Sequence, residues 1–152
     1  MAGRAKAVAA VTVDRKPEEV FSYLADVTRH PEWSPKTLRV EGLAEGPTAV
    51  GSKWTSTGWI PRDPEHRNEA EVTEYQPPSR FVYTAHEKEG EFINIFVLAP
   101  EGDGTRVERT LDMPKPPGFF GLIFPVVIAT FLRPALQKGM NQFKLRMEEQ
   151  PA

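Results

Sequence analysis

Between Ala5 and Asp14 the chain alternates. Ala7, Ala9, Val11 and Val13 form one apolar row, and Lys6, Thr12 and Asp14 fall on the other face. A period of two residues belongs to an extended chain with one side buried, so this segment is predicted to be a β-strand. The period then changes. Pro17-Glu18-Glu19 opens a stretch in which Val20, Phe21, Leu24 and Val27 recur at helical spacing. A proline in the first turn and two carboxylates near the positive end of the dipole both favour a helix start there. His30-Pro31-Glu32-Trp33-Ser34-Pro35 ends this helix and predicts a second, short helical turn between prolines.

From Thr37 to Met113 the pattern shortens to β-rich runs: Leu38–Ala44, Ser52–Ile60, Arg67–Tyr75, Arg80–His86, Phe92–Ala99 and Thr105–Met113. Turn residues separate them, at Gly46-Pro47, Pro61 to Pro64, Pro77-Pro78, Glu89-Gly90 and Gly102-Asp103-Gly104. The alternating charges from Arg62 to Arg67 are read as part of a solvated loop. Six successive strands joined by short turns predict an antiparallel meander rather than parallel crossovers.

Lys115-Pro116-Pro117-Gly118 closes the strand region, and a C-terminal helix is predicted from the stripe Ile128, Leu132, Leu136, Met140, Phe143 and Met147. Lys138, Lys144, Arg146 and Glu148 fall off that stripe, and Pro134 predicts a kink or a start. The segment Gly118 to Pro125 differs in being apolar all round. It is read as core or as a portal flap in preference to a membrane-docking surface, because no basic residue occurs in it before Arg133. The apolar stretch Phe119 to Leu132 is shorter than the ~20 residues of a bilayer span and contains Pro125, so no transmembrane helix is expected.

Composition narrows the classes. A chain of 152 residues with 39% hydrophobic and 26% charged residues fits one globular domain over 1–152. Its 19 basic and 21 acidic residues are interleaved, which argues against a nucleic-acid partner. The sequence has no cysteine, which excludes disulfides and thiol chemistry and is compatible with a cytoplasmic location. Arg4 and Lys6 before an apolar run resemble a secretory signal, but the run ends directly in Asp14-Arg15-Lys16, and a first strand explains it better.

The order strand, helix, short helix, six strands, long helix resembles the helix-grip proteins of the START, polyketide cyclase and Bet v 1 superfamily, in particular its compact bacterial members. The residues that carry the likeness are Val11-Thr12-Val13-Asp14, Pro17-Glu18-Glu19-Val20-Phe21, Leu24-Ala25-Asp26 and Pro31-Glu32-Trp33. Val50-Gly51-Ser52, Pro77-Pro78-Ser79-Arg80-Phe81 and Gly104-Thr105-Arg106-Val107 extend it over nearly the whole chain. The resemblance implies an α+β helix-grip fold: a curved seven-stranded antiparallel sheet wrapped around the long C-terminal helix, with two short helices after the first strand. It also implies a cavity between sheet and helix, but no particular reaction.

Few residues suggest chemistry. No nucleophile elbow, His-Glu-x-x-His motif or phosphate loop occurs, and Gly102-x-Gly104 is a hairpin rather than a dinucleotide fingerprint. His30, His66 and His86 lie on separate segments without ligand spacing, so neither a metal nor a cofactor is expected. Arg109 stands out because Val107, Leu111 and Met113 share its strand face. A guanidinium on an apolar face needs a counter-charge or a polar ligand group. The plainer reading is that it snorkels to the rim or pairs with a structural carboxylate; the sharper one is contact with a ligand. Asn94, between Phe92 and Phe96, is a similar candidate on a strand apolar on both faces. Trp54, Trp59, Phe81, Tyr83 and Phe96, with Phe131, Leu136 and Met140 from the helix, complete the expected ligand-binding lining, although aromatics on strands more often simply fill core. Trp33 is read as a brace for the short helix.

The leading expectation is a binding or carrier protein for a hydrophobic small molecule such as a lipid, isoprenoid or polyketide. A cyclase or aromatase using the same cavity is the alternative, with Arg109, Asn94 or Tyr83 polarising a carbonyl as an enolate forms; no paired acid and base supports it. A third class is an interaction protein with a filled interior and an exposed Phe119–Phe124 patch.

Overall fold

A computed structural model describes residues 3–34, 37–60 and 63–151. Strand β1 (Arg4–Val13) leads into helix α1 (Pro17–Ala25), a 3-10 turn (Val27–Arg29) and helix α2 (His30–Trp33). Six strands follow: β2 (Thr37–Glu41), β3 (Lys53–Ile60), β4 (Asp63–Gln76), β5 (Arg80–Glu87), β6 (Gly90–Glu101) and β7 (Gly104–Pro114). The chain ends in α3 (Phe119–Val127), a π-turn (Ile128–Leu132) and α4 (Arg133–Glu149). All pairings are antiparallel, and the order across the sheet is β1-β7-β6-β5-β4-β3-β2. This is the helix-grip fold.

The alternation in β1 is realised, with Ala7, Ala9, Val11 and Val13 all buried. They meet the helical stripe, of which Leu136, Met140, Phe143 and Met147 are buried and Ile128 is 7% exposed. Pro134 follows directly on the π-turn inside one continuous run of helix, and the irregular hydrogen bonding of that turn accommodates its missing N–H.

Two expectations are corrected. The charged run ending at Arg67 is not a loop: from Asp63 it belongs to β4, pairing Ile60↔Asp63, Gly58↔His66 and Thr57↔Arg67. The segment carries charges because β4 is largely exposed from Asp63 to Glu69. Pro61 and Arg62, at the expected turn, lie outside the described residues, as does Pro35. The second strand stops at Glu41 instead of Ala44, since Gly42 takes φ +81° and turns the chain out of the sheet.

The polar side of α4 is not simply solvated. β1 is an edge strand, and α4 seals it. The Gln137 side-chain amide donates to Ala10 O at 2.9 Å and accepts from Ala10 N at 3.3 Å. Lys144 Nζ donates to Thr12 O at 2.6 Å, and Glu148 accepts from Asp14 N at 2.8 Å. These side chains satisfy alternate backbone positions that a neighbouring strand would otherwise pair.

Candidate functional site

The concave face of the sheet collects its aromatic and polar residues by register. Phe81 pairs with Phe96, Phe96 with Arg109, and Arg109 with Ala9, so all four project to one side. Two residues along, Tyr83 pairs with Asn94 and Asn94 with Leu111. Asn94 therefore points inward and is 5% exposed.

Arg109 is half-buried and meets no carboxylate among the described residues. Its Nη2 donates to Asn94 Oδ1 at 2.8 Å. Its guanidinium carbon lies 5.3 Å from the centre of the Phe96 ring and 5.7 Å from that of Trp33, within cation–π range. Nε is buried without a partner. Burial pulls the guanidinium below its ordinary pKa, and the Tyr83 hydroxyl beside it works the other way. For Tyr83 the balance is reciprocal: burial raises the phenol, and the Arg109 charge opposes that.

Two residues outside the expected lining complete the cluster. Trp33, 1% exposed, does more than brace α2: its ring lies 5.2 Å from Phe143 and 6.2 Å from Phe96, and its Nε1 is a buried donor without an acceptor. His30 lies 5.0 Å from Trp33 and 5.7 Å from Tyr83. Its Nε2 stands 2.9 Å from Leu24 O and must be the donor there, so in the neutral ring Nδ1 is the acceptor. Burial pulls its pKa down to about 4, with Arg109 adding to the shift and Asp26 opposing it. The prolines at 31 and 35 are the only signal in the sequence for this turn. Nothing in the local pattern shows that the short helix turns both rings inward.

Of the expected lining, Trp54, Phe81, Phe96, Leu136 and Met140 are buried in one core with Trp33 and Phe143, while Tyr83 is half-buried. The Trp59 side chain lies outside the described residues. Phe131 is 71% exposed, which takes it out of the interior. Beyond Arg109 the face continues through half-buried Leu111, and Phe92, Phe124 and Leu132 also pack only partly against the core. This looser apolar end is the one from which β7 leaves the sheet for α3. A surface cleft of about 490 Å³ lies there between Gly3, Lys115, Pro116, Gly118 and Leu122. Among the described residues no His, Asp and Glu side chains gather in a group fit to hold a metal ion.

The segment expected as core or portal is on the outside. Phe119, Phe120, Leu122 and Val126 are 68, 66, 80 and 62% exposed, and only Gly121 and Ile128 of the opposite side are buried. The periodicity could not show this, because a helix apolar on every side carries no mark of which side faces water.

The family model for polyketide cyclase/dehydrase and lipid transport matches residues 4–148. Among solved structures, the chain is similar to TTHA0849 from Thermus thermophilus, with TM-score 0.74 and 19% identity over 95% of this chain and 98% of that one. It is similar to Ara h 8.0201, with TM-score 0.72 and 12% identity over 97% and 100% of the two chains. It also resembles DynU16, a protein of the dynemicin biosynthetic locus, with TM-score 0.65 and 15% identity over 94% of this chain and 47% of that one. Among curated protein sequences, none matches.

Proposed function

The chain belongs to the polyketide cyclase/dehydrase and lipid transport family, and we propose that within it this protein binds and carries an apolar small molecule with an oxygen-bearing head. The observation that carries the reading is the inward guanidinium of Arg109, which has a neutral amide partner and a buried, unpartnered Nε. A half-buried cation without a counter-ion is costly in proportion to the water it has lost, and a carboxylate or carbonyl oxygen from a ligand would offset that cost. The orphaned Trp33 Nε1 offers a second buried donor. The tail would run past Leu111 toward Phe92 and Phe124, whose side chains are only partly buried. Burying ~10 methylenes at ~0.8 kcal/mol each supplies about 8 kcal/mol before ordering costs, enough for micromolar affinity. The lack of cysteine suits a carrier working in a reducing cytoplasm.

The test is native mass spectrometry of protein purified without detergent, followed by organic extraction. A stoichiometric adduct that leaves on denaturation, carries an acid or carbonyl, and is missing from Arg109→Met is the expected result. Chemical change of that compound on incubation would move the reading to a cyclase. The exposed Phe119–Phe124 patch favours a second reading, an interaction protein with a filled interior. Repeated absence of an adduct, with no tryptophan fluorescence response to fatty acids or polyketide-like aromatics, would replace the carrier with that reading.

A further inference from the structure

The outer face of α3 is an apolar surface with nothing on it. Phe119, Leu122 and Val126 follow at steps of three and four, and Phe120 and Phe131 flank them. Of the eleven large hydrophobic residues that stand exposed among the described residues, these five fall within one short segment. Together they present on the order of 600 Å², at or above the largest apolar patch of a typical monomer. No polar side chain interrupts the helix between Phe119 and Ala129.

The charge around this face has one sign. No Asp or Glu occurs between Asp112 and Glu148, whereas Lys115, Arg133, Lys138, Lys144 and Arg146 do, in a chain whose net charge is −2. Lys144 and Arg146 pair with Glu148 and Glu149. Lys115, before the helix, and Arg133 and Lys138, after it, form no ion pair among the described residues. In sequence the apolar segment is thus bracketed by unneutralised cations, Arg133 and Lys138 exposed and Lys115 half-buried beside Gly121.

We propose that α3 docks this protein in the plane of an anionic lipid surface, with its phenylalanines in the acyl boundary and Lys115 and Arg133 among the headgroups. An interfacial helix needs an apolar face and cations placed to reach lipid phosphates, and both are present. A second copy of the chain fits less well. Two such helices packed antiparallel would set Lys115 against Arg133, and packed parallel would set like against like, with no acid between Asp112 and Glu148 to compensate. The helix Phe119–Glu149 has the length and hydropathy of a membrane span, but its C-terminal half holds Met140 and Phe143 at 0% exposure in the core. In-plane docking leaves that core intact. Docking through this face is independent of what the interior binds.

The experiment is flotation of the full chain with vesicles of phosphatidylcholine alone and of phosphatidylcholine mixed with phosphatidylserine, with light scattering in parallel. Flotation with the anionic vesicles is expected, weakened by salt and slight with the neutral ones. Leu122→Glu and, at the far end of the face, Phe131→Ser should lose it while melting like the wild type. Lys115→Glu with Arg133→Glu should lower partitioning on the order of tenfold or more. Failure to float with anionic vesicles at low salt overturns the proposal, as does equal binding to both compositions. A lipid-free dimer that Leu122→Glu breaks, without vesicle binding, would assign the face to a second copy instead.

Discussion

Arg109 Nη2 and Asn94 Oδ1, on neighbouring strands β7 and β6, lie 2.8 Å apart inside the domain, and no carboxylate among the described residues joins them. A charge held by a neutral amide is asymmetric in its energetics. Removing the amide strands the charge, whereas removing the charge leaves only an amide to satisfy. Asn94→Leu is therefore expected to cost about 2–3 kcal/mol, and Arg109→Met clearly less. Urea denaturation of the two variants at neutral pH checks the order. If Arg109→Met proves the more destabilising, the guanidinium is part of the scaffold and its availability to a ligand is lost as an argument.

His30 supplies a pH dependence whose sign can be worked out. Its pKa is about 4 when folded against an ordinary 6.5, because burial disfavours the imidazolium. The unfolded chain thus binds a proton that the folded chain refuses between these values. The stability from a neutral His30 is complete above about pH 6.5 and is lost as pH falls toward 4, by on the order of 3 kcal/mol. His66 slopes the opposite way, since Glu87 and Asp63 raise its pKa, but it is partly exposed and its effect is the smaller. Glu32 and Glu148, both lowered, lose their contributions mainly below the usual carboxylate range. His30→Gln can keep a donor to Leu24 O and cannot titrate. The difference in unfolding free energy between it and the wild type should shrink as pH falls from 7 to 4; a constant difference would mean that His30 is not held neutral.

What could be read without coordinates follows from where the information lies. β1 was legible because its alternation is a property of the strand itself, and Arg109 could be placed inward because Val107, Leu111 and Met113 mark its face. Asn94 could not be oriented, since Ile93, Ile95 and Val97 are as apolar as Phe92 and Phe96. On the outer face of the sheet, Val97 is 39% exposed. His30 and Trp33 were missed because α2 is four residues long, too short for a periodicity, and it is its packing against α4 and β2 that turns them inward. Gln137, Lys144 and Glu148 lay off the apolar stripe, as a solvated face would. Their partners are backbone groups of β1 and of Asp14 just after it, more than 120 residues away in the chain.

That edge contact carries its own prediction. Gln137→Leu removes a donor and an acceptor from Ala10 while keeping the size of the side chain and the helix propensity. A loss of about 1–3 kcal/mol is expected, from two backbone groups left without partners at a partly buried site. Hydrogen exchange at the Ala10 amide should quicken more than at neighbours bonded to β7, and the uncovered edge should increase self-association at high concentration. Unchanged exchange at Ala10 would show that water replaces Gln137 at no cost.

Gly121 tests how α3 is seated, independently of what it docks against. It is the one fully buried residue of α3, and a Cβ there would fall on the carbonyl oxygen of Pro116, with the Lys115 side chain 3.8 Å away. The obstruction is backbone and cannot rotate aside, so Gly121→Ala must shift the start of α3 relative to the Lys115–Pro117 segment. The helical gain of alanine over glycine, about 1 kcal/mol, would otherwise favour the change. A net destabilisation of about 1–3 kcal/mol is expected from the clash. Gly3→Ala, where a Cβ meets nothing within 4 Å, should be neutral. If Gly121→Ala instead stabilises the protein, the first turn of α3 is free to move off Pro116. The angle at which Phe119 and Leu122 are presented would then be set by the π-turn at Ile128–Leu132 rather than by this contact.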